Sequence, residues 1–198
     1  MKKSTVLCVS IAGLASVAGA QDFSLTLVAE SDFFDGSTTQ TIGVYGDANV
    51  GTHMLGGAFE LTSSGNTMVD NMSWTAASWS SFNTDGGYAG NGDYNQVIFG
   101  QLVIPGVPPF DVPAAGSELG SAIGYFQIDL AEPVNLLSTI SFNLIASDPF
   151  SLEAIDINTG ETFRSNDGNL ILNGLAIPAP STLGLLGFAG LVGARRRR

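Results

Sequence analysis

The feature that most constrains this chain is a period-two alternation of apolar and polar residues that recurs along its whole middle. The clearest run is Ala122-Ile123-Gly124-Tyr125-Phe126-Gln127-Ile128-Asp129-Leu130. The same beat runs through residues 23–28, 41–45, 58–62, 95–104, 139–145, 151–157 and 169–172. Successive side chains of a strand point to opposite faces, so this alternation marks strands with one face buried. Between the runs stand turn-formers: Asp35-Gly36, Ser64-Gly65-Asn66, Asp85-Gly86-Gly87, Asn158-Thr159-Gly160 and Asn166-Asp167-Gly168. Short strands at near-regular spacing predict an all-β fold, a single antiparallel sandwich or jelly roll. The one helical turn expected lies around residues 114–119. Residues 78–95 and 105–116 read as long loops within the domain, the second rich in proline, and long loops are common places for binding.

The two ends are different in kind. Met1-Lys2-Lys3 is a short basic head, residues 6–17 form an apolar stretch, and Ala18-Gly19-Ala20 fits a small-residue cleavage site. This is the layout of a secretory signal peptide, with the mature chain starting at Gln21. At the other end Pro178-Ala179-Pro180-Ser181 precedes the uncharged, Leu- and Gly-rich residues 182–194, and Arg195, Arg196, Arg197 and Arg198 finish the chain. As a helix the segment 182–194 is roughly 20 Å long, short of the hydrocarbon thickness of about 30 Å. Extension back to Leu175 and snorkelling arginines lengthen it into a marginal transmembrane helix, suited to a temporary hold. Clustered arginines beside a span stay cytoplasmic, which leaves the body of the chain on the far side. Residues 175–180 carry no charge, so any stalk between body and membrane is brief.

A Pro-x-Pro motif, a short Leu/Gly/Ala-rich span and a closing arginine cluster resemble the PEP-CTERM sorting signal of Gram-negative bacteria, with Pro178-Ala179-Pro180 where the family has Pro-Glu-Pro. The resemblance covers about the last 22 residues. It implies recognition and cleavage by exosortase, a membrane enzyme with a cysteine nucleophile, after transient anchoring in the inner membrane. It further implies display at the cell surface or in an extracellular matrix, a biofilm setting and exopolysaccharide as a possible partner. The expected organisation is a signal peptide (1–20), a β-sandwich ectodomain (21–176) and a sorting tail (177–198).

Charge supports an exported, non-nucleic-acid-binding body. All 18 acidic residues fall between Asp22 and Asp167, and Arg164 is the one Lys or Arg between residues 21 and 177, a balance of one minus eighteen, or −17. Such a surface repels DNA, RNA and anionic lipid. The one cysteine, Cys8, lies in the signal peptide, so the mature domain has no disulfide and no thiol nucleophile.

Candidate chemistry is sparse, and an enzyme is not expected. His53 is the sole histidine and sits in no nucleophile motif. The carboxylates mark no glycosidase pair. No phosphate loop, dinucleotide fingerprint or zinc spacing occurs. Calcium takes carboxylate, amide and backbone oxygens. Asp156, Asn158 and Glu161 offer such oxygens around Gly160, and residues 85–95 form a second oxygen-rich loop; ordinary turn chemistry uses the same residues. Trp74, Trp79, Phe82, Tyr88 and Tyr94 cluster around the first long loop. Alternation assigns Trp74 to the core, and Tyr88 and Tyr94 remain open to stacking on sugars. The alternative to a structural surface protein is thus a carbohydrate- or calcium-binding module.

Overall fold

A computed structural model describes residues 20–64, 67–135 and 139–177. Ala18 and the sorting-tail residues Pro178, Ala179, Pro180, Ser181 and Arg195 to Arg198 lie outside the described residues. The strands are β1 (Asp22–Ala29), β2 (Thr39–Ala48), β3 (His53–Ser63), β4 (Val69–Ala76), β5 (Thr84–Asp85), β6 (Tyr94–Gly100), β7 (Ala122–Leu130), β8 (Ile140–Ala146), β9 (Glu153–Asp156), β10 (Glu161–Arg164), β11 (Asn169–Asn173) and β12 (Leu175–Ile177). A 3-10 turn, Ser165–Asp167, links β10 to β11.

The strands form two facing sheets, a β-sandwich. The first has the order β11-β1-β2-β7-β4; the second runs β10-β9-β3-β6-β5 and adds β8 and β12 beyond β3. Pairing is antiparallel throughout except for β1 with β11, which is parallel. That pair departs from the all-antiparallel expectation. It arises because the chain returns from the second sheet through the 3-10 turn and enters alongside its own first strand. At Gly174 it then changes sheets, from β11 on β1 to β12 on β8. A Cβ at Gly174 would stand 2.7 Å from the Phe142 carbonyl oxygen, so the crossing needs glycine. Ile177 is buried in the core. Ile177, expected as the first residue of the sorting tail, therefore belongs to the sandwich together with Leu175 and Ala176.

β3 organises the second sheet. β6 lies along one edge; the other edge is shared by β9, opposite His53 to Gly56, and β8, opposite Phe59 to Ser63. The chain between β8 and β9 passes over Gly57, where a Cβ would overlap the Ser151 carbonyl, and the Ala58 amide donates to the Phe150 carbonyl at 3.0 Å.

The alternation read from the sequence sends Phe23, Leu25, Ile42, Val44, Phe126 and Ile128 inward from the first sheet, against Met54, Phe59, Leu61, Val97, Phe99 and Phe142 of the second. Three readings change. The run 95–104 stops as a strand at Gly100, because the Gly100 carbonyl receives the Ser81 and Phe82 amides and Gln101 turns to bond Met54. Residues 114–119 form turns rather than helix, with Ser117 bonded back to Ala114. Trp79 and Tyr94 join Trp74 in the core.

Phe59 touches Trp74 and Phe126 across the sandwich, at centroid distances of 5.5 and 6.2 Å. Phe59→Ala is expected to lower unfolding free energy by about 3–5 kcal/mol, whereas the exposed Thr75→Ala should stay within about 0.5 kcal/mol; urea unfolding followed by tryptophan fluorescence measures both.

Candidate functional site

Most of the residues singled out in the sequence serve the fold. Asp156 Oδ1 accepts the Asn158 amide at 2.9 Å and its side-chain Nδ2 at 3.1 Å, and the Gly160 amide closes on the Asp156 carbonyl at 2.7 Å. Glu161 begins β10 with its amide on Thr159 Oγ1. The β9–β10 turn is thus closed by its own groups. Among the described residues no three His, Cys, Asp or Glu side chains converge into a metal-holding group. In the 85–95 loop, Asp85 accepts the Gly87 amide at 2.9 Å and the Tyr94 hydroxyl at 2.6 Å. Burial, and then that bond to Asp85, push the Tyr94 phenol well above its ordinary range. Half-buried Tyr88 donates to the Val69 carbonyl at 2.7 Å and accepts from Gly92 at 3.1 Å. Tyr94 is buried and Tyr88 packs partly buried against the core, so these two rings, left open in the sequence to stacking on sugars, contribute to packing here. His53 lies on β3 with Nδ1 3.0 Å from Thr52 Oγ1. Ala20 is exposed, and its carbonyl accepts from Asn49 at 3.1 Å.

Two surfaces stand out instead. The first is an apolar rim at the end of the sandwich where β3 begins. Phe82, Leu102, Phe110 and Val112 line one shallow groove of about 280 Å³. Phe82 and Ile98 line an adjoining one of about 210 Å³ over Gly56 and Gly57. Val112 is 71% exposed and Phe82 58%. Arg164, at the edge of this end, is held by Glu153 at 2.7 Å and lies over the Phe150 ring.

The second is the outer face of the first sheet. Strand register lays its side chains out in rows. Thr75, Tyr125 and Gly43 share one row; Ser73, Gln127 and Thr41 share the next; Asn71, Asp129 and Thr39 share the third. Tyr125 stands in the middle strand, 38% exposed. Over Gly43 the neighbouring side chains lean in: a Cβ there would come 2.7 Å from Glu30 Oε1 and from the Tyr45 ring. Tyr45 donates its hydroxyl to Glu30 Oε1 at 2.6 Å. That bond, with burial and the nearby Tyr125, raises the Tyr45 phenol to about 12. Two phenols and a carboxylate therefore meet on a face whose next rows carry hydroxyls, amides and Asp129. The sequence held half of this: alternation in residues 122–130 already turns Tyr125 and Gln127 outward, but only the β2–β7 register places Tyr125 beside Gly43 and Glu30.

No protein-family model matches the chain, and no curated protein matches it. Among solved structures, a cohesin module from a family 33 glycoside hydrolase of Clostridium perfringens ATCC13124 resembles it with a TM-score of 0.45 and 9% identity, over 78% of this chain and 95% of that one. At that identity the likeness concerns strand layout alone.

The Tyr45 phenol gives a pH test. Its folded pKa stands above the ordinary tyrosine value of about 10, so its contribution to stability is complete below pH 10 and is lost as pH rises through about 12. The difference between wild-type and Tyr45→Phe absorbance titrations at 295 nm is expected to centre near pH 12; a difference centred near 10 contradicts the Glu30 contact. Asp156→Ala should cost about 1 kcal/mol, by the same amount with and without millimolar Ca²⁺ in thermal melts, if the turn is held by its own hydrogen bonds.

Proposed function

We propose that this chain is an exported, non-enzymatic β-sandwich of the bacterial envelope or extracellular matrix, delivered by its signal peptide and handled through its C-terminal tail by an exosortase-type enzyme. The observation that carries this reading is the fit between the folded unit and the two expected processing points. β1 starts at Asp22, two residues after Ala20, and Ile177, the residue before Pro178, is still buried in the core and paired with Ile140. The described sandwich thus reaches from just after the expected leader to the residue before the expected sorting motif.

The fold also gives this arrangement a direction. Ile177 pairs with Ile140 beyond the Ser63 end of β3, whereas the apolar rim lies at its Leu55 end. Nine or ten strand residues separate the two, roughly 30 Å. A chain held at its tail carries the rim away from the bilayer. The −17 balance of the region keeps it off anionic lipid. Support for a non-enzymatic role is chemical: the sole histidine has Nδ1 3.0 Å from Thr52 Oγ1, and Asp85 and Asp156 close turns.

Intact-mass analysis of the protein from its native host tests this. The expected mature chain begins at Gln21 and ends within or close to residues 178–181, and it keeps its tail when the sorting enzyme is deleted. A mature protein that still carries both Met1 and Arg198 contradicts the reading.

A further inference from the structure

We infer that the outer face of the β11-β1-β2-β7-β4 sheet is a binding platform for an uncharged polysaccharide, with Tyr125 as the stacking residue and Glu30, Tyr45 and Gln127 as its hydrogen-bonding partners.

Three observations lead there. Tyr125 projects from β7, the strand next to edge strand β4, with β2 on its other side. A tyrosine 38% exposed on the outer face of the sheet is not filling the core between the sheets, and its ring offers the apolar face that a pyranose covers. Its hydroxyl neighbours the Tyr45–Glu30 pair, so a sugar seated on the ring meets a carboxylate that Tyr45 already orients. Only one oxygen of that carboxylate is bound by Tyr45; a carboxylate has capacity to accept further hydroxyl donors. The row beside Tyr125 continues the same chemistry with exposed Gln127 and Ser73 and half-buried Thr41. An amide and two hydroxyls both donate and accept, as sugar hydroxyls do.

Shape and charge narrow the ligand. The face is open, not a cavity, and its five strands at about 4.8 Å give it a width of roughly 19 Å. This suits an extended chain of sugar rings more than a single small molecule. Glu30, Asp47 and Asp129 lie on or beside it, and it carries no lysine or arginine. Among the described residues Arg164, on the other sheet, is the one Lys or Arg. A polymer of uronates or sulfated sugars would meet uncompensated repulsion across this face, whereas a neutral one would not. The apolar rim, lined by Phe82 and Val112, also holds Ser78, Ser81 and Gln101, but the Gln101 amide is committed to the Met54 carbonyl and the Ala114 amide.

This inference concerns the folded sandwich and stands apart from tail processing: a chain that kept Arg198 would leave it intact. Affinity electrophoresis of the protein purified from its host tests it, in native gels containing hydroxyethylcellulose, galactomannan or xyloglucan, with polygalacturonate as the anionic comparison. Retardation is expected in at least one neutral gel and not in polygalacturonate. Tyr125→Ala should weaken it at least tenfold, Gln127→Ala and Glu30→Gln severalfold, and Tyr125→Phe little, because the ring remains. Phe82→Ala should have no effect. Near-UV circular dichroism establishes that each variant is folded, and the Gln127→Ala and Glu30→Gln results decide the matter if Tyr125→Ala does not fold. No retardation in any neutral gel overturns the inference, as does retardation that survives these substitutions or a preference for polygalacturonate. Equal loss in Phe82→Ala would overturn it too, by placing the contact on the apolar rim.

Discussion

The structure depends on an aromatic interlock between the two sheets. Phe59, on the central strand of one sheet, meets Trp74 and Phe126 of the other and Phe99 of its own. Trp74 and Phe126 stand 4.7 Å apart, and Tyr94 packs edge-on to Phe126 at 5.0 Å. A domain without disulfides must draw its stability from burial, and aromatic pairs add to the area they cover. The interlock also accounts for glycines nearby. Gly124 lies beneath the Trp74 ring, and a Cβ at Gly57 would strike the Ser151 carbonyl of the chain that crosses β3. Large rings and bare backbone are complementary here, because the second makes room for the first or for a crossing strand.

The same scaffold separates its surfaces by chemistry. Inward positions carry the interlock; outward positions of the first sheet carry hydroxyls, amides and a tyrosine–glutamate pair. Exposed apolar residues gather at one end, around Phe82 and the proline-rich loop, while Val28, Phe34, Ile145 and Ile171 are exposed elsewhere. The carboxylates are spread through turns and sheet faces, where many accept backbone amides, as Asp32, Asp35, Asp85 and Asp156 do. Their count sets the charge of the sandwich; their placement stabilises turns. Asp85 and Asp156, which the sequence offers as oxygen ligands, each accept the amide two residues on.

Much of the fold was legible because one-sided burial writes itself into a sequence at period two. The β7 bounds agree with the alternating run 122–130, and Trp74 could be assigned to the core from Met72 and Ala76 beside it. What was not legible follows from distance and length. β12 is three residues long and merges with the apolar run that follows, so nothing local distinguishes a strand from a tail. The run 95–104 keeps its alternation past Gly100, but the chain leaves the sheet because Ser81 and Phe82 take the carbonyl at that point. Tyr88 and Tyr94 looked open because their partners, Val69 and Asp85, lie 19 and 9 residues away. Tyr125 could be turned outward from the sequence alone, yet its meeting with Glu30 and Tyr45 depends on a strand register that skips a residue between Val44 and Tyr45.

The central claim is that this sandwich works outside the cytoplasm, between a removed leader and a membrane-held tail. The most direct measurement fuses a reporter after Ile177 in the native host. Alkaline phosphatase at that junction is expected to be active and a cytoplasm-dependent fluorescent protein to be dark; the opposite pair of results would place the domain inside the cell and contradict the account.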